Sequence, residues 1–395
     1  MNPNKKSNKF RGVESQWEMV DSLQGGTTTM RSAGERYLPR NPKESEKDYI
    51  TRVNRTTLFN VYKRAIQHAV ARAFSNDITV EGYPTELGAI FTQDVDAQNR
   101  DLTQFAKALF SDAMNRGASY MLVDFPRRLE QPLTLADAMA SGDRPYWISI
   151  PARNVLAAYS EFQNGSERLT HFRFLEYALE VTPDGLDETT IEQVKAFTQA
   201  SPNDPVVFTI YREVDGGWVV YDSGIVEGVP QIPVVCAYTN RTGFFIGTPP
   251  LLDLAETNIA HWQSSSEQRN ILHVARVPFL HVSGLEPTLD GNGNDQEIEL
   301  SIHSILKTGE KGNAKWVETT GTALTAGADD LADLEQKMEA LGLMLTAPRS
   351  GNTTATENAI NAAESNSLLK DYALSLGASA SSSTNTAPLL RRSSQ

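Results

Sequence analysis

An α+β fold is predicted by three features of the chain. Helical periodicities and short alternating apolar runs share roughly the first 240 residues. A long helical segment then starts at Pro249 and Pro250 and is stopped by Pro278. After it come short strands with Gly/Asn turns, and then a second amphipathic helix. The expected order is therefore a mixed body followed by helix, small β-rich insertion, helix.

The opening "MNPNKKSNKFRG" is basic and has no apolar core behind it, so it is no secretory signal and reads as a flexible basic arm over 1–14. Trp17, Met19, Val20 and Leu23 predict one short helix, stopped by Gly25-Gly26. In "NPKESEKDYITRVNRTTLFNVYKRAIQHAVARAF", residues Tyr49, Val53, Leu58, Val61, Tyr62, Ala65, Ile66, Ala69 and Val70 fall largely at spacings of three and four. One long helix is expected there, with Pro42, Glu44 and Glu46 suiting its N-terminus. Leu102, Phe105, Leu109 and Met114 mark another helix over about 101–117, closed by Gly117.

"ASYMLVDFP", "RPYWISIPARNVLAAY" and "HFRFLEYALEV" are strand-like. "PVVFTIYREVDGGWVVYDSG" is a hairpin turning at Asp215-Gly216-Gly217. The long helix then runs from about Pro250 to Arg276, about 40 Å at the usual rise. Its middle, "HWQSSSEQRN", is polar nearly all round, which predicts a helix exposed or packed on copies of itself. Further on, Leu331, Leu334, Met338, Leu341 and Leu345 form one apolar stripe, with Asp329 or Asp330 as the expected cap. "APRSGNTT" breaks that helix, another restarts at Ala355, and the Ser/Thr-rich end reads as disordered.

Composition bounds the function. The chain has 395 residues, a net charge of −13 and one cysteine. An acidic chain does not grip duplex DNA through its phosphates, which argues against a repressor or nuclease. It does not conflict with a protein that lets DNA slide past. Cys236 lies in the apolar run "IPVVCAY" and reads as an inert core thiol. The six histidines are scattered without metal-ligand spacing. "DGNGNDQEIELS" places Asp290, Asn292 and Asn294 like a calcium loop, but Asp295 and Ser301 stand where Gly and Glu are needed, so a hairpin turn is expected. No phosphate-binding glycine loop, zinc motif or nucleophile elbow is present. No metal, cofactor or catalytic residue is expected, and no membrane span.

The order of these elements resembles the portal proteins of tailed bacteriophages, in a subfamily common in prophages. The stretches that carry the likeness are "DSLQGGTTTMRSAGERYLP", "DYITRVNRTTLFN", "ASYMLVDFP", "RPYWISIPARNVLAA", "GTPPLLDLAETNIAHWQSSSEQRNILHVARVPFL", "KWVETTGTAL" and "LADLEQKMEALGLMLTAPRSGNTTATENA". They cover about residues 15 to 378; their order and spacing, not any single motif, make the likeness specific.

The resemblance implies a wing over 15–248, stem helix 1 over 249–276, a clip over 277–323, stem helix 2 over 324–346, a tunnel loop over 347–354, a tunnel or wing helix over 355–378 and a disordered tail over 379–395. It also implies a homo-oligomeric ring, usually of twelve subunits, at one capsid vertex, through which double-stranded DNA is packaged and ejected. The implied partners are the terminase large subunit, a head–tail adaptor and the major capsid or scaffold protein. The product would be made in the bacterial host cytoplasm and end in the virion, with no membrane and no catalytic role.

Pro348, Arg349, Ser350, Gly351, Asn352, Thr353 and Thr354 would face the DNA. Gly351 and Ser350 permit mobility, and the Asn and Thr side chains offer hydrogen bonds without charge. Trp262, Glu267 and Arg269 would lie at contacts between subunits. Related portals continue past the tunnel helix, whereas "SASSSTNTAPLLRRSSQ" follows it here. Two other classes compete: a head–tail connector or minor capsid protein without a DNA channel, and a hydrolase using carboxylates such as Asp124 with Glu176.

Overall fold

A computed structural model describes residues 2–79, 93–124, 144–163, 165–275, 279–283, 312–317 and 322–343, with Lys370 and Tyr372. The chain divides into two compact units. The first is Met1–Met30, Asn60–Asn258 and Lys337–Gln395; the second is Arg31–Phe59 and Ile259–Gln336.

Helix α1 (Asn8–Ala33) begins inside the stretch expected to be a flexible arm. The reason is apolar spacing that the basic composition hides: Phe10, Val13, Trp17 and Val20 recur at three and four and are all buried. The charges are also docked. Lys6 pairs with Glu14 at 2.7 Å, Lys9 Nζ donates to the Phe244 carbonyl at 2.5 Å, and the Ser7 amide donates to Leu156 O at 2.8 Å. The expected stop at Gly25-Gly26 is instead a kink, with Gly26 at φ 77°, and the helix resumes beyond it.

Two helices replace the one expected after Pro42. Helix α2 (Glu46–Arg55) is capped by Ser45, and α3 (Val61–Ala73) by Asn60, whose Oδ1 accepts from the Lys63 amide at 2.9 Å. A second cap residue in mid-pattern offers the backbone an alternative to continuing the helix. Helix α4 (Leu102–Arg116) matches its expected span. Asp101 caps it through the Gln104 amide at 2.7 Å, and Gly117 closes it at φ 81°.

The strands of the first unit form two main sheets. β1 (Ala118–Asp124) lies between β2 (Tyr146–Ile150) and β8 (Val234–Tyr238), antiparallel to both. Tyr120 faces Ile150 on one side and Cys236 on the other, and Ala118 to Val123 are all buried, as a central strand requires. β3 (Val155–Gln163), β4 (Ser166–Val181), β5 (Glu188–Thr198), β6 (Val206–Val214) and β7 (Gly217–Val226) form a five-stranded meander. Its last hairpin turns at Asp215 and Gly216, with φ 52° and 77°, the two positive values a tight two-residue turn needs. A short ladder joins β9 (Arg241–Gly243) and β10 (Ile246–Gly247). Phe10, Trp17, Tyr120, Leu122, Phe172 and Phe197 share one core with Val234 and Cys236. Each such large side chain contributes about 1.5–3 kcal/mol by leaving water.

The second unit holds α2, the part of α5 (Leu252–Ala275) from Ile259 onward, an antiparallel ladder of β11 (Phe279–Ser283) with β12 (Asn313–Val317), and α6 (Thr322–Leu343) as far as Gln336. Helix α6 starts before Asp329 and Asp330, so neither caps it; the Ala-rich stretch ahead of them carries enough helix propensity to extend it to Thr322. Most of the expected clip, Leu345, the tunnel loop Pro348–Thr354, all of the following helix but Lys370 and Tyr372, and the tail lie outside the described residues.

Candidate functional site

The polar centre of α5 is the feature that the rest of the second unit is built around. His261, Ser265, Ser266 and Gln268 are buried, against the expectation of an exposed or self-packed helix. Buried polar groups need partners, and here the same chain supplies several, although His261 Nδ1 and Trp262 Nε1 are buried without a hydrogen-bond partner among the described residues. The Thr56 hydroxyl donates to Ser266 Oγ at 2.9 Å, and Gln263 Nε2 donates to the Tyr37 carbonyl at 3.0 Å. Towards α6, Gln268 Nε2 donates to Leu324 O at 2.8 Å, Ser264 Oγ to Asp330 at 2.6 Å, and His261 Nε2 lies 3.3 Å from Glu335. As the α5 number falls, the α6 number rises, so the two helices run antiparallel. Gly327 makes room for this contact: a Cβ there would meet Gln268 Oε1 at 2.0 Å.

Arg52 of α2 anchors the other side. Its guanidinium grips Glu44 with both arms, Nε to Oε1 at 2.7 Å and NH2 to Oε2 at 2.8 Å, while NH2 also donates to Pro39 O at 2.8 Å. The two side chains are 2% and 8% exposed. The hydrogen bond from Arg52 holds the Glu44 carboxyl below the usual carboxylate range, and Glu44 in turn raises Arg52. Both groups are charged in the fold. Sequence reasoning passed over Arg52; the signal was an arginine on the same helical face as Tyr49, Val53 and Thr56.

Of the residues expected at subunit contacts, Trp262 is not at a surface. It is 0% exposed within its own chain, where its large apolar area is best removed from water. Glu267 and Arg269 are exposed. Arg269 donates to Arg55 O at 3.2 Å and to Thr57 Oγ1 at 3.1 Å. With Arg55, Leu272 and His273 it lines a cavity of about 450 Å³.

The carboxylates considered for hydrolysis are occupied. Asp124 pairs with Lys195 at 2.9 Å, and Glu176 accepts from Gln193 Nε2 at 2.8 Å. Gln193 Oε1 in turn accepts from Arg212 at 2.9 Å. Both acids sit near Tyr146, whose hydroxyl is pushed up by burial first and by their charges second. Among the described residues no group of three or more His, Cys, Asp or Glu could hold a metal ion, and no helix is long and apolar enough to cross a membrane. Cys236 is buried, and burial pushes its thiol up to about 12.

Residues 250–383, about a third of the chain, match a family model described as a domain of unknown function, DUF4055. No curated protein matches the chain. Two solved structures match it at low similarity. One is described as the virion of a native gene transfer agent particle, with TM-score 0.38, 11% identity, and coverage of 79% of this chain and 77% of that one. The other is the neck of an empty gene transfer agent particle computed with C6 symmetry, with TM-score 0.38, 12% identity, and coverage of 78% and 71%.

Proposed function

We propose that this chain is a portal-type subunit of a phage-like particle, which closes into a ring at the capsid vertex and conducts double-stranded DNA. The observation that carries the reading is the pair α5 and α6: two helices of 24 and 22 residues, antiparallel and laced by polar bonds, with the β11–β12 ladder inserted between them in sequence. That is the stem-and-clip order which the sequence resemblance implies.

The polar lacing suits a stem. A side-chain network fixes the register of two helices and leaves their outer faces charged and soluble. Glu267 and Arg269 stand exposed on opposite flanks of α5 and are of opposite sign. In a heterologous ring each subunit offers different surfaces to its two neighbours, so opposite charges on one helix serve two different contacts. The net charge of −13 then favours a channel that does not hold its cargo. Pro348 to Thr354 would face that DNA. The ladder end would meet the terminase motor and later the head–tail adaptor, with capsid or scaffold protein around the ring. The chain itself would carry no catalytic step.

Native mass spectrometry of the purified protein, with negative-stain images, tests this. A closed ring with a central hole is expected. A protein that stays monomeric at high concentration and also when co-expressed with its particle's scaffold overturns the reading.

A further inference from the structure

We propose that the start of α1 and the neighbouring strands of the first unit form a binding site for phosphate groups. The site is a cavity of about 610 Å³ between Lys5–Arg11 and the sheet residues Tyr159 and Arg173. That volume suits a nucleotide or a stretch of nucleic acid backbone better than a single small ion. The inference stands apart from the portal reading, since it uses nothing from α5 or α6.

Charge is the first argument. Every lining residue that is charged is a cation, in a chain whose net charge is −13. Lys6 is neutralised by Glu14 at 2.7 Å. The others meet only neutral oxygens among the described residues. Lys9 Nζ donates to Phe244 O at 2.5 Å, Arg173 NH2 to Lys5 O at 2.6 Å, and Arg11 to Asn8 Oδ1. The Lys5 ammonium has no ion-pair partner among the described residues. Lys5, Lys9, Arg11 and Arg173 therefore bring four cations to the rim of one cavity without an ion pair among the described residues; the carboxylates beside it are Glu14 and Glu167, which accepts from the lining Ser160 Oγ at 2.6 Å. An excess of cations over carboxylates on one surface attracts anions, an effect that added salt screens.

Unused donors are the second argument. Ser7 Oγ and Arg173 Nε are buried and have no hydrogen-bond partner among the described residues. Ser7 directly precedes the first helical residue, where a hydroxyl ordinarily caps the helix, yet here it does not. The amides of Asn8, Lys9 and Phe10 open a 26-residue helix and have no carbonyl a turn earlier to bond. The helix-opening Ser7, Asn8 and Lys9 and the Arg173 guanidinium belong to residues that line one cavity, and amides, hydroxyls and guanidinium arms are the donors that phosphate oxygens take up. Tyr159 is 48% exposed and stacks on His171 at 5.4 Å, which offers a flat face for a base beside the phosphate position.

The test uses the full chain and three probes: a fluorescein-labelled single-stranded 20-mer, ATP, and inorganic phosphate. Binding is read by anisotropy and by calorimetry at about 50 mM salt. The expected result is saturable binding of the 20-mer that weakens at least tenfold in K5Q/R11Q and again on adding R173Q. The log–log salt slope should fall by about 2 with three such contacts removed, at about 0.7 per contact. A control variant, K47Q/K107Q, removes exposed cations elsewhere and should leave binding unchanged. Circular dichroism and Tm exclude unfolding of the variants, and K5Q/R11Q alters only surface side chains should R173Q undock the N-terminus. Displacement of the 20-mer by ATP but not by phosphate assigns the site to free nucleotides; resistance to both assigns it to polymeric backbone. No binding of any probe, or binding that K5Q/R11Q/R173Q leaves intact, overturns the proposal.

Discussion

His171 shows how burial sets a charge. It stacks on Tyr159, and its Nε2 is buried without a partner among the described residues. Burial first, and the nearby Arg173 charge second, lower its pKa to about 4. The folded value lies below that of the unfolded chain, near 6.5. Between those values the unfolded chain binds a proton that the fold refuses, so stability falls as pH drops from about 6.5 towards 4. His171→Gln should flatten that part of a Tm-against-pH curve. An unchanged slope between pH 6.5 and 5 would show that His171 titrates normally. Cys236 makes a second case. With its thiol at about 12, native protein at pH 8 should resist a thiol reagent that labels the unfolded chain rapidly. That inertness was legible in "IPVVCAY", because an apolar run bounds a thiol wherever the strand ends up. The burial of Trp262 was not legible: a tryptophan in a polar segment fits a subunit contact and a private pocket equally, and only packing separates them.

At the scale of elements, local signals were readable where they complete themselves within a few residues. The Asp101 cap, the Gly117 closure and the Asp215-Gly216 turn are of this kind. Gly117 is also required by what lies beside it: a Cβ there would meet Thr248 O at 2.1 Å, on top of a φ of 81°. Gly117→Ala should therefore destabilise the fold by about 3 kcal/mol, read as a shift of the urea midpoint. A midpoint within error of the native protein would mean that the β1 and Thr248 segments are not held together as described. Signals that need a distant partner were missed. The polarity of "HWQSSSEQRN" suggested exposure because nothing local says that Thr56, Tyr37 and Leu324 will satisfy it. The Glu44–Arg52 pair closes one side of that network. Arg52→Met should cost about 3–5 kcal/mol by leaving Glu44 buried without its counter-charge, whereas E44Q/R52M should cost clearly less. Equal losses in single and double variants would show that the pair's packing, not its charge, matters. Acid has the same effect by another route. Glu44 titrates below its unfolded value, so its contribution is complete above about 4.3 and is lost as pH falls through the lower folded value.

For the whole molecule, an α+β body followed by helix, ladder and helix was legible from periodicity alone, while the division into two units was not. That division takes Arg31–Phe59 out of the body's sequence order and groups it with Ile259–Gln336, through contacts more than two hundred residues apart. The ring reading makes its sharpest demand on α5. Glu267 and Arg269 are two residues apart, about 200° around the helix axis, so they can face two different neighbours. If Glu267 of one subunit meets Arg269 of the next, Glu267→Arg places two cations together and Arg269→Glu two anions. Each exposed pair is worth about 0.2–1 kcal/mol, small for one contact but repeated at every interface of a closed ring. Either single reversal should raise the protein concentration needed for ring assembly several-fold, and high salt should narrow the difference. The double reversal should restore assembly, since opposite charges again meet. Light scattering across a concentration series, with circular dichroism to verify the fold, reads all three. Single variants that assemble like the native chain would remove both residues from the interface and leave the intersubunit contact to other faces of α5.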